Sequence, residues 1–183
     1  MSGSDDLKQR HEVGLVGHFF IPYLEGRGVR LRNPRPGSAA NGEPDVLCDS
    51  VDRVRGVEVA DGYMSRADAT TIWGMVRSIE REGGIAPVVT STSAAAPGVL
   101  SELVVNPDAA LAAALQGALN EHCLRRYAIP TFLLLNASHA PLASAEDASE
   151  LLPRLRVPEH RYEGIFVCLT RNWTKGRVFF GLT

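Results

Sequence analysis

Three short apolar runs in the C-terminal half of the chain limit what it can fold into. TFLLL at 131–135, GIFVCL at 164–169 and RVFFGL at 177–182 are rich in aromatic and branched residues. Runs of this length are too short for buried helices and are typical of buried strands. The last two are joined by 172–176, which we interpret as a turn, so they predict neighbouring strands of one sheet.

Helical patterns alternate with these strands. Apolar residues recur at spacings of three and four over 7–24, and an Ala-rich segment over 107–126 follows Asn106-Pro107, a favourable N-cap and first helical position. Further helices are predicted over 65–82, capped by Ser65, and over 144–155. Because helices and strands interleave, we predict an α/β fold with a mixed β-sheet flanked by helices.

The remaining segments complete the predicted organisation. VRLR at 29–32 alternates as a short strand does, and 33–43 is rich in Pro, Gly and Asn and predicts a loop. Residues 85–105 are small and polar and predict a loosely structured connection. We expect a flexible tail at 1–6 and a single domain over 7–183, an ordinary size for one domain.

Composition narrows the class of protein. Three cysteines are too few for a disulfide framework or a CxxC zinc site. No apolar run approaches the ~18–20 residues of a membrane span, and the polar, acidic N-terminus is unlike a secretory signal. We therefore expect a cytoplasmic protein without a membrane segment. The net charge of −2 means that DNA would have to bind through a local basic patch.

A predicted hairpin carries the most informative side chains. DVLCDSV at 45–51 and VRGVEVA at 54–60 flank Asp52-Arg53, which we take as the turn. With 51 paired to 54, alternation puts Asp45 and Glu58 on one face as diagonal neighbours. Two such carboxylates repel unless something positive lies between them, and a divalent cation is one solution. Solvated acids, or acids paired with an arginine, are the other interpretation.

The segment EPDVLCDSVDRVRGVEVA resembles the core of the PD-(D/E)XK nuclease superfamily, which has a restriction-endonuclease-like fold. Pro44-Asp45 matches the PD, and Glu58-Val59-Ala60 matches the last triplet. The resemblance implies Mg²⁺-dependent hydrolysis of DNA, with Mn²⁺ as a substitute. It implies that Asp45, Glu58 and the carbonyl of Val59 hold the metal.

The resemblance also implies residues from two helices. Glu12 matches the glutamate that the family often carries on the helix before the hairpin, and Glu25 is the alternative. Gln116 and Asn120 lie at i and i+4 on one face of the 107–126 helix and match the polar residues of the family's later helix. We expect Glu12, Gln116 and Asn120 to join the catalytic set.

One departure from the family pattern matters. The last position of the triplet is usually lysine, and here it is Ala60. Either a basic group arrives from elsewhere, within about 4 Å of the acids, or the site is a relic that binds nucleic acid or a protein partner without cutting. The later helix could supply such a group, although Asn120 is neutral and Arg125 and Arg126 lie farther along. A third interpretation is an unrelated α/β domain with solvated acids.

A basic run adjoins the predicted site. Its members, with no acid between Gly26 and Gly42, are Arg27, Arg30, Arg32 and Arg35. Arginines contact phosphates well, so the run is a candidate DNA-binding surface; a solvated edge strand is the other interpretation. Many nucleases of this type dimerise to cut both strands, so the resemblance also allows a homodimer.

Overall fold

The structure is a computed structural model. The residues it describes are 3–62, 107–137, 148, 151–170 and 177–183. The predicted helix over 65–82, the connection at 85–105 and the turn at 172–176 lie outside the described residues, as does most of the predicted helix over 144–155.

The N-terminal helical pattern is confirmed as three consecutive segments. Helix α1 spans Gly3–Leu15 and begins within the segment expected to be a tail; a π-helical turn over Val16–Phe20 follows, and α2 spans Ile21–Glu25. Beyond α2 the chain turns at Gly28, whose φ of 82° is accessible to glycine at little cost.

The described strands form one six-stranded sheet in the order β1-β2-β3-β4-β5-β6. Their bounds are Arg32–Pro36, Val46–Asp49, Val54–Asp61, Thr131–Asn136, Gly164–Thr170 and Arg177–Gly181. β3, β4 and β5 are parallel to one another, and the remaining pairs are antiparallel. The α/β class with a mixed sheet is therefore confirmed, as are the three C-terminal strands.

Helices cover both faces of this sheet. The predicted Ala-rich helix is α3, Pro107–His122, which ends four residues before the predicted 126. It packs on one face with a core that includes Leu115, Leu119 and Leu133. On the other face, Phe20 from the π-helical turn contacts the rings of residues from three strands, namely Phe132, Phe166 and Phe179.

Alternation along β3 divides its side chains between these layers. Val57 and Val59 belong to the core under α1, whereas Ala60 belongs to the core under α3. Glu58 lies between the two valines and therefore points toward the α3 side. β3 is central, so Glu58 is 1% exposed, and a charged group at this depth needs partners.

The first strand differs from the prediction. The structure has β1 at Arg32–Pro36, so the strand expected at 29–32 was wrong, and the strand lies in the predicted loop. Pro34 and Pro36 obscured it, because proline lacks the N–H that a strand interior needs. β1 is the edge strand, where one row of N–H groups needs no partner, and its pairing with β2 is irregular between Arg32 and Arg35.

The hairpin is confirmed with a different turn. Asp49 pairs with Val54, and the Ser50 N–H donates to the Arg53 carbonyl at 2.9 Å, so four residues form the turn instead of two. The register therefore moves by two residues. Because side chains alternate with a period of two, this shift leaves every side chain on its predicted face.

The three cysteines are all free and buried. Cys48 and Cys168 are fully enclosed in the core under α1. Among the helices of the described residues, none is both long and apolar enough to cross a membrane.

Candidate functional site

Asp45 and Glu58 meet on the α3 side of the sheet. Val46 pairs with Val57, so the next position outward places Asp45 directly across from Glu58, closer than the predicted diagonal. Asp45 precedes β2, and its Oδ2 accepts a hydrogen bond of 2.9 Å from the Val59 N–H. The two carboxyl groups line the same pocket.

Because Gly56 has no side chain, Pro44 can pack against β3, and this packing positions the neighbouring Asp45. A Cβ on Gly56 would overlap the ring of Pro44, and it would also come within 2.8 Å of the Thr131 hydroxyl oxygen. The buried Pro44 ring therefore packs directly on the β3 backbone. The Asp45 carbonyl accepts from the Gly37 N–H at 2.9 Å, which fixes the chain on its other side.

Glu58 receives hydrogen bonds from three side chains that follow one another at the end of α3. The Tyr127 hydroxyl donates to Oε2 at 2.6 Å, and Arg125 Nη1 forms a very short ion pair with Oε1. Nδ1 of His122 lies 3.0 Å from Oε1. An ionised carboxylate only accepts, so this nitrogen carries the proton.

These surroundings move the two pKa values in opposite directions. Burial raises the pKa of Asp45 to about 6, and repulsion from Glu58 adds to the shift. Burial also acts to raise the pKa of Glu58, but the hydrogen bonds from His122 and Tyr127 and the charge of Arg125 outweigh it. The pKa of Glu58 is therefore lowered, so Glu58 loses its proton at a lower pH than Asp45.

Glu12 joins this acidic group from α1. It is buried, and its Oε1 lies 3.0 Å from Lys8 Nζ, one helical turn earlier. Burial and the charge of Asp45 raise the pKa of Glu12 to about 7, against the opposing effect of Lys8. The predicted helix glutamate is thus within electrostatic reach of the hairpin acids. Its alternative, Glu25, is exposed at the end of α2.

These residues border an open pocket of about 240 Å³. Its lining residues are Lys8, Asp45, Glu58, Val59, Ala60, Asp61, His122 and Arg125. Asp61 ends β3 and accepts a hydrogen bond of 2.8 Å from Asn136. A water molecule occupies about 30 Å³ in the liquid, so the pocket has room for a hydrated cation or a phosphate group.

The donor set suits a magnesium-like ion better than a metal held in a protein cage. Among the described residues, no three or more His, Cys, Asp or Glu side chains are arranged to hold a metal. Mg²⁺ normally takes only one or two carboxylates and keeps several waters, which the Asp45–Glu58 pair would satisfy. In the structure, the arginine that forms an ion pair with Glu58 is Arg125.

The polar residues predicted from α3 lie elsewhere. Gln116 Nε2 donates to the Arg156 carbonyl at 2.8 Å, and the Arg156 N–H donates to Gln116 Oε1 at 2.7 Å. Gln116 also donates to Asn120 Oδ1 at 2.9 Å. Neither amide lines the acidic pocket. These bonds tie α3 to the chain that leads into β5.

The predicted basic run is likewise separated from the acids. Arg27 stacks on the Tyr23 ring at 3.9 Å, and Arg35 pairs with Asp49 at 2.6 Å. Arg30 lines a second pocket together with Arg55, and Arg32 is exposed at the edge strand. None of the four arginines lines the acidic pocket.

The sequence offered Arg125 only as a cation farther along the later helix, and it did not single out Lys8 or Tyr127. Lys8 precedes Glu12 by four residues on one helix, so that contact was visible as a helical ion-pair spacing. His122, at the end of α3, also contacts Glu58. Arg125 and Tyr127 are 67 and 69 residues from Glu58 in sequence, and no local pattern links them to it.

No protein-family model, curated protein or solved structure matches this chain. Function is therefore inferred from the residues of the pocket and the topology that positions them.

Proposed function

We propose that this protein is a divalent-metal-dependent nuclease of the PD-(D/E)XK type that hydrolyses phosphodiester bonds in DNA. The observation that supports it most is the meeting of Asp45 and Glu58, from adjacent strands, with Lys8 in one pocket. The motif residues that were matched in sequence alone are thus neighbours in space, with a cationic side chain beside them.

The topology gives independent support. A helix with Glu12 precedes an antiparallel β1-β2-β3 meander, and a later helix leads to β4, which is parallel to β3. This order resembles the restriction-endonuclease-like core, in which the acids lie on the second and third strands. Asp45 lies immediately before β2 and Glu58 lies on β3, which is compatible with this arrangement and supports the proposal.

Each residue has a specific role in this proposal. Asp45, Glu58 and the Val59 carbonyl would hold Mg²⁺ or Mn²⁺, which when bound lowers the pKa of water and neutralises charge on the phosphate. Lys8 supplies the positive charge that Ala60 lacks. Glu12 binds a proton near neutral pH, and it releases that proton when positive charge enters the pocket.

Metal binding is the first test. We expect calorimetric titration with Mn²⁺ to show binding that Asp45→Asn abolishes and that the exposed-acid control Glu25→Gln retains. Binding should also release protons, detected as a dependence of the measured heat on the ionisation enthalpy of the buffer. No Mn²⁺ binding, or equal binding by Asp45→Asn, would contradict the proposal.

Cleavage is the second test. Plasmid and single-stranded DNA are incubated with the wild type in Mg²⁺ or Mn²⁺, beside Asp45→Asn and Glu25→Gln. We expect nicked or shortened DNA with the wild type and Glu25→Gln only. Equal cleavage by Asp45→Asn would identify a contaminating nuclease.

A non-cleaving, nuclease-like module that binds nucleic acid or a protein partner is the second candidate. It is favoured by the three donors on Glu58, which leave that carboxylate stabilised without a metal. Mn²⁺ binding or DNA binding, measured by fluorescence anisotropy, without any cleavage would support this candidate over the first.

A further inference from the structure

The pocket already contains a positive charge where a cation would bind. Glu58 is 1% exposed, and both of its oxygens accept hydrogen bonds from the His122, Arg125 and Tyr127 side chains. A carboxylate offers about four lone-pair positions, so these bonds leave little capacity for a metal. Oε1 accepts from both His122 and Arg125, so a cation that binds this oxygen must displace one of those two donors.

Arg125 is the donor best placed to leave. Its side chain is 42% exposed, against 12% for His122, and it lies in the turn after α3. A second partner is already in contact, because Arg125 Nη2 lies 3.1 Å from Glu121 Oε1, and Glu121 is 70% exposed. Arg125 can therefore give up Glu58 and keep an ion pair at the surface. Tyr127 and His122 have no comparable exposed carboxylate in their described contacts.

We propose that Arg125 is a positioning residue that occupies the cation position on Glu58 in the metal-free protein, and that a divalent cation displaces its guanidinium toward Glu121. This inference rests on the proposed metal-binding function. It adds that the chain carries its own competitor for the metal.

Competition has a measurable consequence. If the pocket accepts a metal only when Arg125 has left Glu58, the apparent affinity is reduced by the fraction of molecules in that state. Removing the guanidinium should therefore strengthen metal binding, although the same change weakens the metal-free protein. Most substitutions in a metal site weaken binding, so an increase in affinity distinguishes this mechanism.

The experiment is a Mn²⁺ titration by calorimetry at low ionic strength. The wild type is compared with Arg125→Gln, Arg125→Lys and Arg126→Gln, the last being an exposed arginine outside the pocket lining. We expect Arg125→Gln to lower the apparent Kd by about tenfold or more. Arg126→Gln, which removes the same charge nearby, should stay within about threefold of the wild type. Arg125→Lys restores a competing cation and should fall between the wild type and Arg125→Gln.

Thermal unfolding of the same variants provides a readout that does not depend on cleavage. Without metal, Arg125→Gln should have a lower Tm than the wild type because the buried Glu58 charge loses its main counterion. Saturating Mn²⁺ should raise the Tm of Arg125→Gln by more than it raises that of the wild type. If Arg125→Gln does not fold without metal, the Tm values of Arg125→Lys with and without Mn²⁺ are compared with those of the wild type instead.

The outcomes separate this inference from the function on which it rests. Wild-type binding that depends on Asp45 but is unchanged or weakened in both Arg125 variants would overturn the inference and leave the metal site standing. Binding by Arg125→Gln but not by the wild type would overturn the displacement step, because the guanidinium would then block the site instead of yielding to a cation. No binding by any variant would overturn both.

Discussion

Asp45 and Glu58 are neighbouring carboxyl groups whose pKa values shift in opposite directions. Burial raises the pKa of Asp45 to about 6, whereas three donors lower that of Glu58. The contrast follows from position, because Glu58 faces the basic and hydroxyl groups after α3 and Asp45 faces Glu12 and Glu58. Glu58 therefore loses its proton at a lower pH than Asp45, and Glu12, whose pKa is raised to about 7, is protonated in part of the molecules near neutral pH.

The free energy of unfolding should depend on pH because Glu12 keeps its proton to a higher pH in the folded chain. A carboxyl group with a higher pKa in the folded chain binds its proton more tightly there, so its contribution to stability falls as pH rises from the unfolded to the folded pKa. For Glu12 that window runs from 4.5 to about 7. We expect the free energy of unfolding of wild type to fall more than that of Glu12→Gln between about pH 5 and about pH 8, by ~1–3 kcal/mol.

Urea unfolding at the two pH values measures this difference. His11 acts in the opposite sense, because burial lowers its pKa, so wild type and variant must be compared at each pH. Glu25→Gln, a change of the same type at an exposed position, should behave as the wild type does. An identical pH response in Glu12→Gln would show that Glu12 is not protonated as described.

Tyr127 offers a test of how Glu58 is stabilised. Its hydroxyl donates to a buried charge, and such bonds are worth about 1.5–3 kcal/mol, so Tyr127→Phe should lower the free energy of unfolding by about that amount. Tyr162 is a matched control, since its hydroxyl donates to the neutral carbonyl of His122 at 2.9 Å. Tyr162→Phe should cost about 0.5–1.5 kcal/mol. Chemical denaturation compares the two; equal losses would argue against an ionised Glu58.

Lys8 should matter for cleavage more than for folding. Its side chain is about half exposed, and it provides the positive charge nearest Glu12. On the proposed function, Lys8→Ala should reduce the rate of DNA cleavage by about a hundredfold, the loss typical for one electrostatic group in an active site. Arg10→Ala, on the same helix and paired with Asp6, should keep cleavage near the wild-type rate. A normal rate in Lys8→Ala would remove Lys8 from the site.

Gln116 should behave as a structural residue. Its side-chain amide both donates to and accepts from the backbone of Arg156, so Gln116→Ala should lower the free energy of unfolding by about 1–2 kcal/mol. Asn120→Ala, which loses one bond to Gln116, should cost less. Mn²⁺ affinity should be unchanged in both variants. A large loss of Mn²⁺ affinity in Gln116→Ala would restore the role expected from the sequence.

The parts of the fold predicted from sequence are those with strong local patterns. β4 and β5 are uninterrupted apolar runs because they are buried on both faces, and α3 is Ala-rich with Pro107 at its start. The shared face of Asp45 and Glu58 also follows from local alternation. This prediction is correct although the predicted turn is too short, because a register shift of two residues keeps each side chain on the same face.

The remaining features depend on contacts distant in sequence. β1 contains two prolines that read as loop, and only its position at the sheet edge makes it a strand. The partners of Glu58 lie 64 to 69 residues away, and no spacing rule connects them. Gln116 matched the family pattern in residue type and in its position on a helix. Its side chain instead bonds the backbone of Arg156, which is 40 residues distant in sequence.

Because Pro44 packs closely on Gly56, the residue types that can stand at these two positions depend on each other. Any larger residue at 56 would push the proline ring, and with it the aspartate that follows, away from the third strand. Related sequences should therefore vary at 44 and 56 in concert, exchanging the ring and the missing side chain as a unit whenever the acid is retained.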